Sequence, residues 1–367
     1  MFPEANPHAR AIGARPSGEG GQVSLVKVAV LTGGGDCPGL NAVIRAIVRR
    51  SEQRHLEVMG IRDGWEGLVE ERHERLTRQR VSGILHLGGT ILGTSRFNPF
   101  AIEDGPERVM RTLQRHNVGA VIAIGGDGTL SIAREMHALG VSIVGVPKTI
   151  DNDLGGTDYT FGFDTAVSIA TEAIDRLHST AEAHQRVIVV EVMGRHVGWI
   201  AAYAGLAGGA DAILVPERPA RIEEVIEHVE RRRKEGRKFS IIVCAEGAMV
   251  DLGEGAKLIS RGRDEWGHER LGGVAQSVAH AIEKRTGIET RVTVLGYVQR
   301  GGSPTASDRV LGTRYGVMAA DLVASKRWGT MAALRGNEIV AVPLADATRS
   351  LKQLDPRIYD VASVFFG

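Results

Sequence analysis

The chain has 367 residues, and its 45 lysine and arginine residues nearly balance 44 aspartate and glutamate residues. A chain of this length can form two α/β domains or one large α/β unit with a substantial core. The balanced charge gives no indication of nucleic-acid binding or of attachment to a membrane surface, so any anion binding must come from local clusters.

The cysteines, Cys37 and Cys244, lie far apart in unlike surroundings. They do not have the spacing of a disulfide framework or a zinc site, and such sparse cysteine usage is typical of a reducing compartment. No apolar run reaches the ~18 residues of a membrane-spanning helix, and residues 1–25 lack the apolar core of a signal peptide. We therefore expect a cytoplasmic protein with a disordered extension over residues 1–25.

From Val26 onward, short runs rich in β-branched residues alternate with amphipathic stretches. This alternation is typical of βαβ units, in which helices join parallel strands. The first half contains VKVAVL, NAVIRAIVRR, GAVIAIG, SIAREMHAL and VSIVGV. The second half contains VIVVEVMG, DAILVP, RIEEVIEHVERRRKE, FSIIVCAEG and RVTVLGYV. The pattern predicts two α/β lobes with a cleft between them, and residues 249–268, rich in glycine and charge, are expected to be an inserted surface loop.

Two glycine-rich segments each follow a predicted strand and open a predicted helix. They are LTGGGDCPGLN, which contains Gly34, and IGGDGTL at residues 124–130. Glycines let backbone N–H groups approach an anion at a helix N-terminus. The first segment matches neither the dinucleotide fingerprint nor the Walker sequence. A tight turn is the alternative for one such loop alone, whereas two on one sheet indicate a phosphate site.

Within the second loop, Asp127 lies between glycines and is a candidate for holding Mg²⁺ through water, as hard divalent cations prefer. Thr129 is expected to cap the helix that follows. The GGDGT segment by itself is also similar to lipid kinases and NAD kinases, so it does not define the reaction.

The segment VGVPKTIDND places Lys148, Thr149, Asp151 and Asp153 directly after a third predicted strand. Open α/β sheets bind their ligands at the carboxyl ends of the strands. We therefore expect these side chains to contribute to a site, with an N-cap or turn role as the alternative for each carboxylate.

Seven segments together resemble the bacterial-type 6-phosphofructokinases in their order and approximate spacing, over about residues 26–345. They are GGDCPGLNAVIR, LGTSRF, GGDGT, PKTIDND, EVMGRHVGW, AEGA and LGYVQRGGSP. The resemblance implies an α/β fold of two Rossmann-like three-layer lobes with mainly parallel sheets and the active site in the cleft between them. It implies a nucleotide-binding lobe of residues 26–162 and 299–349, and a sugar-phosphate-binding lobe of residues 163–298 and 350–367.

The resemblance also implies a reaction, the transfer of the γ-phosphoryl group of ATP to the 1-hydroxyl of fructose 6-phosphate in glycolysis, with Mg²⁺. By resemblance, Asp151 is the general base that accepts the hydroxyl proton, and Asp153 supports the metal and phosphate network. Phosphoryl transfer relies mainly on positioning and electrostatics. Arg96 and Arg195 match the residues that meet the charge of the transferring group, and Thr149 matches the hydroxyl that orients it.

The same resemblance assigns residues to both substrates. The implied donor and metal site consists of Gly34, Arg96, Phe97, Gly126, Asp127, Gly128 and Thr129, with Asp127 as the metal ligand. The implied sugar-phosphate site consists of Thr149, Ile150, Asp151, Arg186, Met193, Gly194, Arg195, Glu246, Arg291, Tyr297, Val298, Gln299 and Arg300.

Within the sugar-phosphate site, Arg186, Arg291 and Arg300 match the binders of the 6-phosphate. The family usually has histidine where this chain has Tyr297. A phenol donates one hydrogen bond but cannot become cationic, so we expect this pocket to bind the phosphate differently or more weakly.

By resemblance, Arg186 and Arg291 reach the active site of a neighbouring subunit, and a homotetramer is expected, with a homodimer as the alternative. The resemblance also implies allosteric regulation. The family's effector site is matched by Arg45, Arg49 and Arg78, whereas His178 and Glu235 stand where cations are common. The effector is therefore not specified.

The donor depends on two positions. Pyrophosphate users in the family have aspartate after GGD and lysine before TID, ATP users commonly have glycine at both, and this chain has Gly128 and Lys148. Aspartate at position 128 would crowd and repel the α-phosphate of a nucleotide, so Gly128 favours ATP. For Lys148, an interaction with phosphate near the base and a tolerated cation at the cleft edge both stay open.

The alternatives are use of pyrophosphate, or of another sugar phosphate such as sedoheptulose 7-phosphate, by the same fold. A non-catalytic sugar-phosphate sensor is disfavoured because Asp127, Asp151 and Arg195 are all present. A nucleotide-binding dehydrogenase is disfavoured because the dinucleotide fingerprint does not appear.

Overall fold

The computed structural model describes residues 26–253, 255–257, 260–263 and 269–366. Its strands, in chain order, are β1 (Val26–Thr32), β2 (Leu56–Ile61), β3 (His73–Leu76), β4 (Val118–Gly125), β5 (Ile143–Pro147), β6 (Val187–Val192), β7 (Ala212–Leu214), β8 (Ala220–Arg221), β9 (Ser240–Ala245), β10 (Val250–Asp251), β11 (Ala256–Lys257), β12 (Ser260–Arg263), β13 (Glu269–Leu271), β14 (Thr290–Val294), β15 (Thr330–Arg335) and β16 (Glu338–Pro343).

The α-helices, in chain order, are α1 (Leu40–Gln53), α2 (Gly64–Val69), α3 (Gly105–Arg115), α4 (Asp127–Ala138), α5 (Phe163–His184), α6 (Trp199–Ala207), α7 (Ile222–Lys234), α8 (Val274–Thr286), α9 (Ala306–Ala324), α10 (Leu344–Ala347) and α11 (Pro356–Ser363). Short 3₁₀ helices cover Pro99–Ala101 and Gly296–Arg300. Within the described part of the chain, no helix is both long and apolar enough to cross a membrane.

The larger sheet has seven strands in the order β16-β15-β5-β4-β1-β2-β3. The pairs β2–β3 and β15–β16 are antiparallel, and the pairs between them are parallel. Its central strands are nearly continuous apolar runs because helices cover both faces. Val28 and Val30 pack towards α1 and α9, whereas Ala29 and Leu31 pack towards α2, α3 and α4. Alternate side chains of one strand therefore pack against the helical layers on opposite faces of the sheet.

The smaller parallel sheet has the order β14-β6-β9-β7. Val187 and Val189 of β6 pack in one cluster with α7 and α8, whereas Ile188 and Val190 pack in another with α5 and α6. Each lobe is thus a three-layer unit with a mainly parallel sheet. The predicted fold class is confirmed, whereas the functions and exact ranges assigned to the lobes stay predictions.

The predicted inserted loop, residues 249–268, contains short strands where it is described. β10 pairs in parallel with β8 and antiparallel with β11, and β12 pairs antiparallel with β13. Residues 254, 258–259 and 264–268 of this segment, and the predicted extension over residues 1–25, lie outside the described residues.

A buried carboxylate joins the starts of the two long helices α5 and α9. Asp308, in the first turn of α9, is 1% exposed. Its Oδ1 accepts the Gly162 N–H at 2.8 Å, and its Oδ2 accepts the N–H and hydroxyl of Thr165 at 2.8 and 2.5 Å. These bonds satisfy donors at the N-terminus of α5, which leads the chain from the larger sheet into the smaller one.

Substitution of Asp308 by alanine leaves those three donors without their acceptor. Because an unsatisfied buried donor costs about 1–3 kcal/mol, we expect the free energy of unfolding to fall by about 3 kcal/mol or more. Urea unfolding measures this change, and Asp175→Ala on the exposed side of α5 is the control, with an expected effect within about 0.5 kcal/mol. A loss below 1 kcal/mol for Asp308→Ala, as an order-of-magnitude threshold, would contradict the capping role.

Candidate active site

The first glycine loop is fixed where β1 ends. The Gly33 N–H donates to the Ile124 carbonyl at 3.0 Å, and the Gly34 N–H donates to the Ser95 carbonyl at 2.9 Å. The Thr94 hydroxyl donates to the Gly34 carbonyl at 2.6 Å. Gly34 has a φ of 80°, which favours glycine, so this turn requires the residue type found there. The loop is therefore held against β4 and against the segment that precedes Arg96.

The second glycine loop forms the N-terminus of α4. Asp127 and Gly128 are exposed there, where the helix dipole favours an anion. A Cβ atom added at Gly128 would meet no atom of the described residues within 4 Å, and the φ of Gly128 is not in the left-handed region. Position 128 thus faces open space, and the fold itself tolerates a side chain there.

Thr129 is not the N-cap of α4, so that expectation was wrong. The helix already begins at Asp127, its N-cap is Gly126, and no side chain caps it. Thr129 lies inside the first turn, buried between the two glycine loops, with its Oγ1 2.6 Å from a Cβ position built at Gly33. Gly33 and Thr129 therefore fit together only because glycine has no side chain.

Lys148 lies beneath the first glycine loop. Its side chain is buried, and its Nζ donates to the carbonyl of Gly35. Burial lowers the pKa of Lys148, while the carboxylates of Asp153 and Asp151 act in the opposite direction. The lysine is thus inside the protein rather than at the cleft edge, and it anchors the first glycine loop.

The loop that carries the aspartates is built on an inward-facing asparagine. Asn152 is fully buried with a φ of 53°, and its Oδ1 accepts the Thr160 N–H at 3.1 Å. Asp151 and Asp153, on either side, are half-buried. The Asp151 N–H donates to Thr149 Oγ1 at 3.1 Å, and the same threonine side chain is hydrogen-bonded to Asp153.

The electrostatic surroundings of Asp151 combine burial with cations. Burial raises the pKa of Asp151 and Glu246 adds to the increase, whereas Arg300, Lys148 and Arg195 lower it. Its buried Oδ1 has no hydrogen-bond partner within the described ranges. A half-buried carboxylate among cations, with a pKa raised by burial, is suited to accept a proton from a substrate.

Asp153 belongs to the same group. Burial and the nearby charge of Asp151 raise its pKa to about 6, and Asp127 adds a smaller increase. Asp127, Asp151 and Asp153 therefore interact across the two loops, even though no group of three or more His, Cys, Asp or Glu residues forms a metal cage in the described part of the chain.

Mg²⁺ usually keeps several waters and takes one or two protein carboxylates together with substrate phosphates. Such an ion needs few protein ligands, and exposed Asp127 at the start of α4 would provide one hard carboxylate oxygen. Although the residue is exposed, its surroundings raise the pKa of Asp127 through partial burial, which Arg134 opposes, and a bound cation would favour the ionised carboxylate.

The smaller sheet supplies the opposite side of the cleft from the ends of β6 and β9. The Glu246 N–H donates to the Val192 carbonyl at 2.8 Å, and the Gly247 N–H donates to the Gly194 carbonyl at 3.2 Å. Burial raises the pKa of Glu246, and Arg300 and Arg195 lower it. Glu246 thus shares both arginines with Asp151.

Arg300 connects the two sides of the site. It ends the 3₁₀ helix Gly296–Arg300, and its Nη1 donates to the Asp36 carbonyl in the first glycine loop at 3.1 Å. Its charge acts on Asp151, Glu246 and Lys148 together. The structure therefore brings together predicted residues from both lobes.

Four residues of the predicted sugar-phosphate site have side chains that are either fully buried or on the surface of the chain. Ile150 and Gln299 are fully buried, and the Gln299 amide accepts the Met193 N–H at 3.3 Å and donates to the Gly296 carbonyl at 3.1 Å. Gln299 therefore shapes the loop after β6. Tyr297 and Val298 are 81% and 60% exposed, so their side chains lie on the surface of this chain.

Arg186 and Arg291 lie at the amino ends of β6 and β14, the edge opposite to Asp151. Strand β6 alone separates Arg186 from Met193 by about 20 Å. Both arginines pair with Glu289, at 3.3 and 2.5 Å. The structure does not bring them into the site of their own chain.

The residues matched to an effector site lie on α1 and α5, at the end of α7 and just after β3. Arg45 and Arg49 are half-buried on α1, and Arg78 is exposed. His178 Nε2 lies 2.7 Å from the Gly208 carbonyl, and Glu235 is the C-cap of α7.

Glu191 is a site-supporting residue that sequence reasoning missed. It is buried in β6, and its Oε2 accepts the N–H groups of Gly273 and Ala275 at 2.9 and 3.0 Å, which fixes the start of α8. A single carboxylate inside the apolar run VIVVEV was the available signal, since a buried charge requires dedicated partners.

The profile of the phosphofructokinase family matches residues 27–323. The pyrophosphate–fructose 6-phosphate 1-phosphotransferase of Amycolatopsis methanolica is 56% identical over 344 residues, 93% of this chain and 100% of that protein. The ATP-dependent 6-phosphofructokinase of Mycobacterium leprae is 52% identical over 344 residues, with the same 93% and 100% coverage. The Saccharomyces cerevisiae phosphofructokinase structure has a TM-score of 0.76 and 33% identity, covering 93% of this chain and 46% of the yeast chain.

These matches show that the chain belongs to the phosphofructokinase family. The predicted family is therefore confirmed, and membership makes the protein a phosphotransferase. The relatives divide between two phosphoryl donors, and the one with the higher identity of the two is named for pyrophosphate.

The raised pKa of Asp151 predicts the acid side of the pH profile. A base must be ionised, so kcat/KM should fall as pH decreases, with a midpoint above the ordinary aspartate pKa of about 3.9. Asp153→Asn removes a neighbouring negative charge, which favours ionised Asp151 and should move the midpoint to lower pH.

Steady-state pH profiles of the native protein and of Asp153→Asn measure this shift. Titration of the substrate phosphate affects both profiles alike, so it does not contribute to the difference between them. Asp158→Asn, an exposed residue of the same segment, is the control and should leave the midpoint in place. An Asp153→Asn midpoint equal to the native one, or higher, would contradict the assignment of the acid limb to Asp151.

Proposed function

We propose that this protein is an ATP-dependent 6-phosphofructokinase that acts in glycolysis in the cytoplasm. It transfers the γ-phosphoryl group of ATP to the 1-hydroxyl of fructose 6-phosphate, giving fructose 1,6-bisphosphate and ADP. The observation that carries the proposal is the half-buried Asp151 side chain, whose buried Oδ1 belongs to a carboxylate with cations from both lobes around it and glycine loops beside it.

In the proposed reaction, the sugar 1-hydroxyl oxygen forms a bond to the γ-phosphorus while its proton passes to Asp151. The bond between the γ-phosphorus and the bridging oxygen breaks, and ADP leaves with the bond electrons. Arg96 and Arg195 balance the charge on the transferring group, and Thr149 orients it. Mg²⁺, held through Asp127, neutralises phosphate charge when it is bound.

The sugar phosphate is recognised from two chains in this proposal. Met193, Gly194 and Glu246 hold the sugar hydroxyls, and Arg300 meets the 6-phosphate within the same chain. Since Arg186 and Arg291 lie at the opposite edge of the smaller sheet, they serve the site of a neighbouring subunit in a homotetramer.

Two structural features support ATP as the donor. Position 128 opens on free space at the exposed start of α4, so a nucleotide α-phosphate passes without a clash. Lys148 is buried and engaged with the Gly35 carbonyl, so its first function is to anchor the glycine loop. Pyrophosphate is the second candidate donor, favoured by the presence of that lysine and by the name of the Amycolatopsis relative.

Kinetics of three proteins with both donors test the choice. We expect the native protein to use ATP with little or no pyrophosphate activity, and Lys148→Gly to keep ATP as its donor. Gly128→Asp places a like charge ~4 Å from an anion, which costs about 1 to 4 kcal/mol. The resulting loss of ATP activity is about one to three orders of magnitude.

Gly128→Asn is the matched control, because it adds the same bulk without the charge and should lose less ATP activity than Gly128→Asp. All measurements are made at fixed Mg²⁺. Faster turnover of the native protein with pyrophosphate than with ATP would overturn the donor assignment and make Lys148 the deciding residue.

A site shared between subunits predicts complementation. Arg186→Ala and Asp151→Ser proteins should each be nearly inactive, since every one of their sites carries a defect. Dissociation and reassociation of the mixture forms some sites with native Asp151 from one chain and native Arg186 from the other. We expect activity to reappear in the mixture, in proportion to hybrid formation.

The control is the same treatment of each variant by itself, which should recover nothing. Full activity of a monomer verified by light scattering would exclude the shared site.

A further inference from the structure

A lysine near the C-terminus contacts the loop that carries Asp151 and Asp153. Lys352 lies between α10 and α11, and its Nζ donates to Asn152 Oδ1 at 2.9 Å. It also donates to the carbonyls of Thr157 and Asp158 at 3.1 and 2.7 Å. An ammonium group has three donors, so this geometry uses all of them on a single loop.

The backbone of Lys352 makes a second set of contacts. Its N–H donates to the Asp153 carbonyl at 2.7 Å, and its carbonyl accepts the Trp199 indole N–H at 3.1 Å. The ammonium also lies 5.2 Å from the centroid of the Trp199 ring, within range of a cation–π interaction. Because Trp199 begins α6 beside the smaller sheet, Lys352 connects both lobes at the aspartate loop.

Asn152 explains why this contact affects Asp151 and Asp153. Its φ of 53° is uncommon for a residue with a side chain, and such conformations persist where surrounding contacts fix them. The fixing contacts are the hydrogen bonds that its Oδ1 accepts from Thr160 and Lys352. The turn at Asn152 in turn sets the directions of the two aspartates beside it.

We propose that Lys352 is a positioning residue for phosphoryl transfer, which holds Asn152 and thereby places the Asp151 carboxylate for proton transfer. The inference rests on the proposed function, since it takes Asp151 as the base. Burial lowers the pKa of Lys352 to about 8, with Asp158 and Asp153 acting in the opposite direction, so the group is mainly cationic at neutral pH.

Lys352→Met keeps the apolar stem and removes all three donors. A misplacement of about 1 Å can cost up to about 100-fold in rate, and we expect kcat to fall by about 10- to 100-fold. The KM for fructose 6-phosphate should change by less than about threefold, because the cationic pocket does not include Lys352. Lys352→Arg, which retains a cation with several donors, should recover most of the lost kcat. Lys284→Met, at an exposed lysine of α8, is the control.

A double-mutant cycle separates positioning through Asn152 from general destabilisation. If the two residues act as one unit, Lys352→Met combined with Asn152→Ala should lower kcat about as much as the larger single change does. Losses that multiply would overturn the proposal, and so would a Lys352→Met kcat within about threefold of the native value.

Hydrogen exchange of the Thr160 amide, which donates to Asn152 Oδ1, gives a readout that does not depend on activity. It should exchange faster in Lys352→Met than in the native protein or in Lys284→Met. If the native protein turns over fructose 6-phosphate with neither donor, the proposed function fails, and this exchange decides separately whether Lys352 holds the loop. An unchanged Thr160 exchange would overturn the inference in either case.

Discussion

The site depends on one electrostatic constraint, a carboxylate at position 151 that is partly removed from water but close to cations. Burial by itself favours the protonated acid, and Glu246 increases that tendency, whereas Arg300, Lys148 and Arg195 favour the anion. These cations come from three separate segments, after β5, after β6 and at the end of the 3₁₀ helix Gly296–Arg300, which only the fold brings together. The tertiary fold, rather than any local motif, therefore sets the basicity of Asp151, and a base with a raised pKa is matched to chemistry near neutral pH.

The same principle recurs in the framework that holds the cleft. Buried carboxylates accept backbone N–H groups at helix starts, Asp308 at α5 and Glu191 at α8. Each satisfies donors that the helix itself leaves free, and each does so from a distant part of the chain. Two lysines play the complementary part by donating hydrogen bonds to loops. Lys148 donates to the Gly35 carbonyl in the first glycine loop, and Lys352 donates to Asn152 Oδ1 in the aspartate loop. The proposed catalytic groups therefore lie on segments whose backbones are fixed by buried hydrogen bonds, as electrostatic catalysis requires.

The local sequence pattern was sufficient to predict many of the strands and turns of this structure. The apolar runs of β1, β4 and β6 predicted strands in both lobes, and the glycines after β1 and β4 predicted the strand-to-helix turns of the larger sheet. The assignment of Thr129 as an N-cap was wrong because the helix begins two residues earlier, at Asp127, and Thr129 instead packs inside the first turn against Gly33. The contribution of Lys352 could not be predicted, since a lone lysine some 200 positions from Asn152 carries no periodic or motif signal, and only the fold brings them within 2.9 Å.

Rapid-quench single-turnover kinetics test the central claim, that Asp151 is the base, because they isolate the chemical step from binding and product release. The account predicts that Asp151→Asn and Asp151→Ser each slow phosphoryl transfer to fructose 6-phosphate by about 10²- to 10⁴-fold, with fructose 6-phosphate binding changed only slightly. A chemical step within about threefold of the native rate in either variant would show that proton removal does not depend on this carboxylate, and would contradict the account.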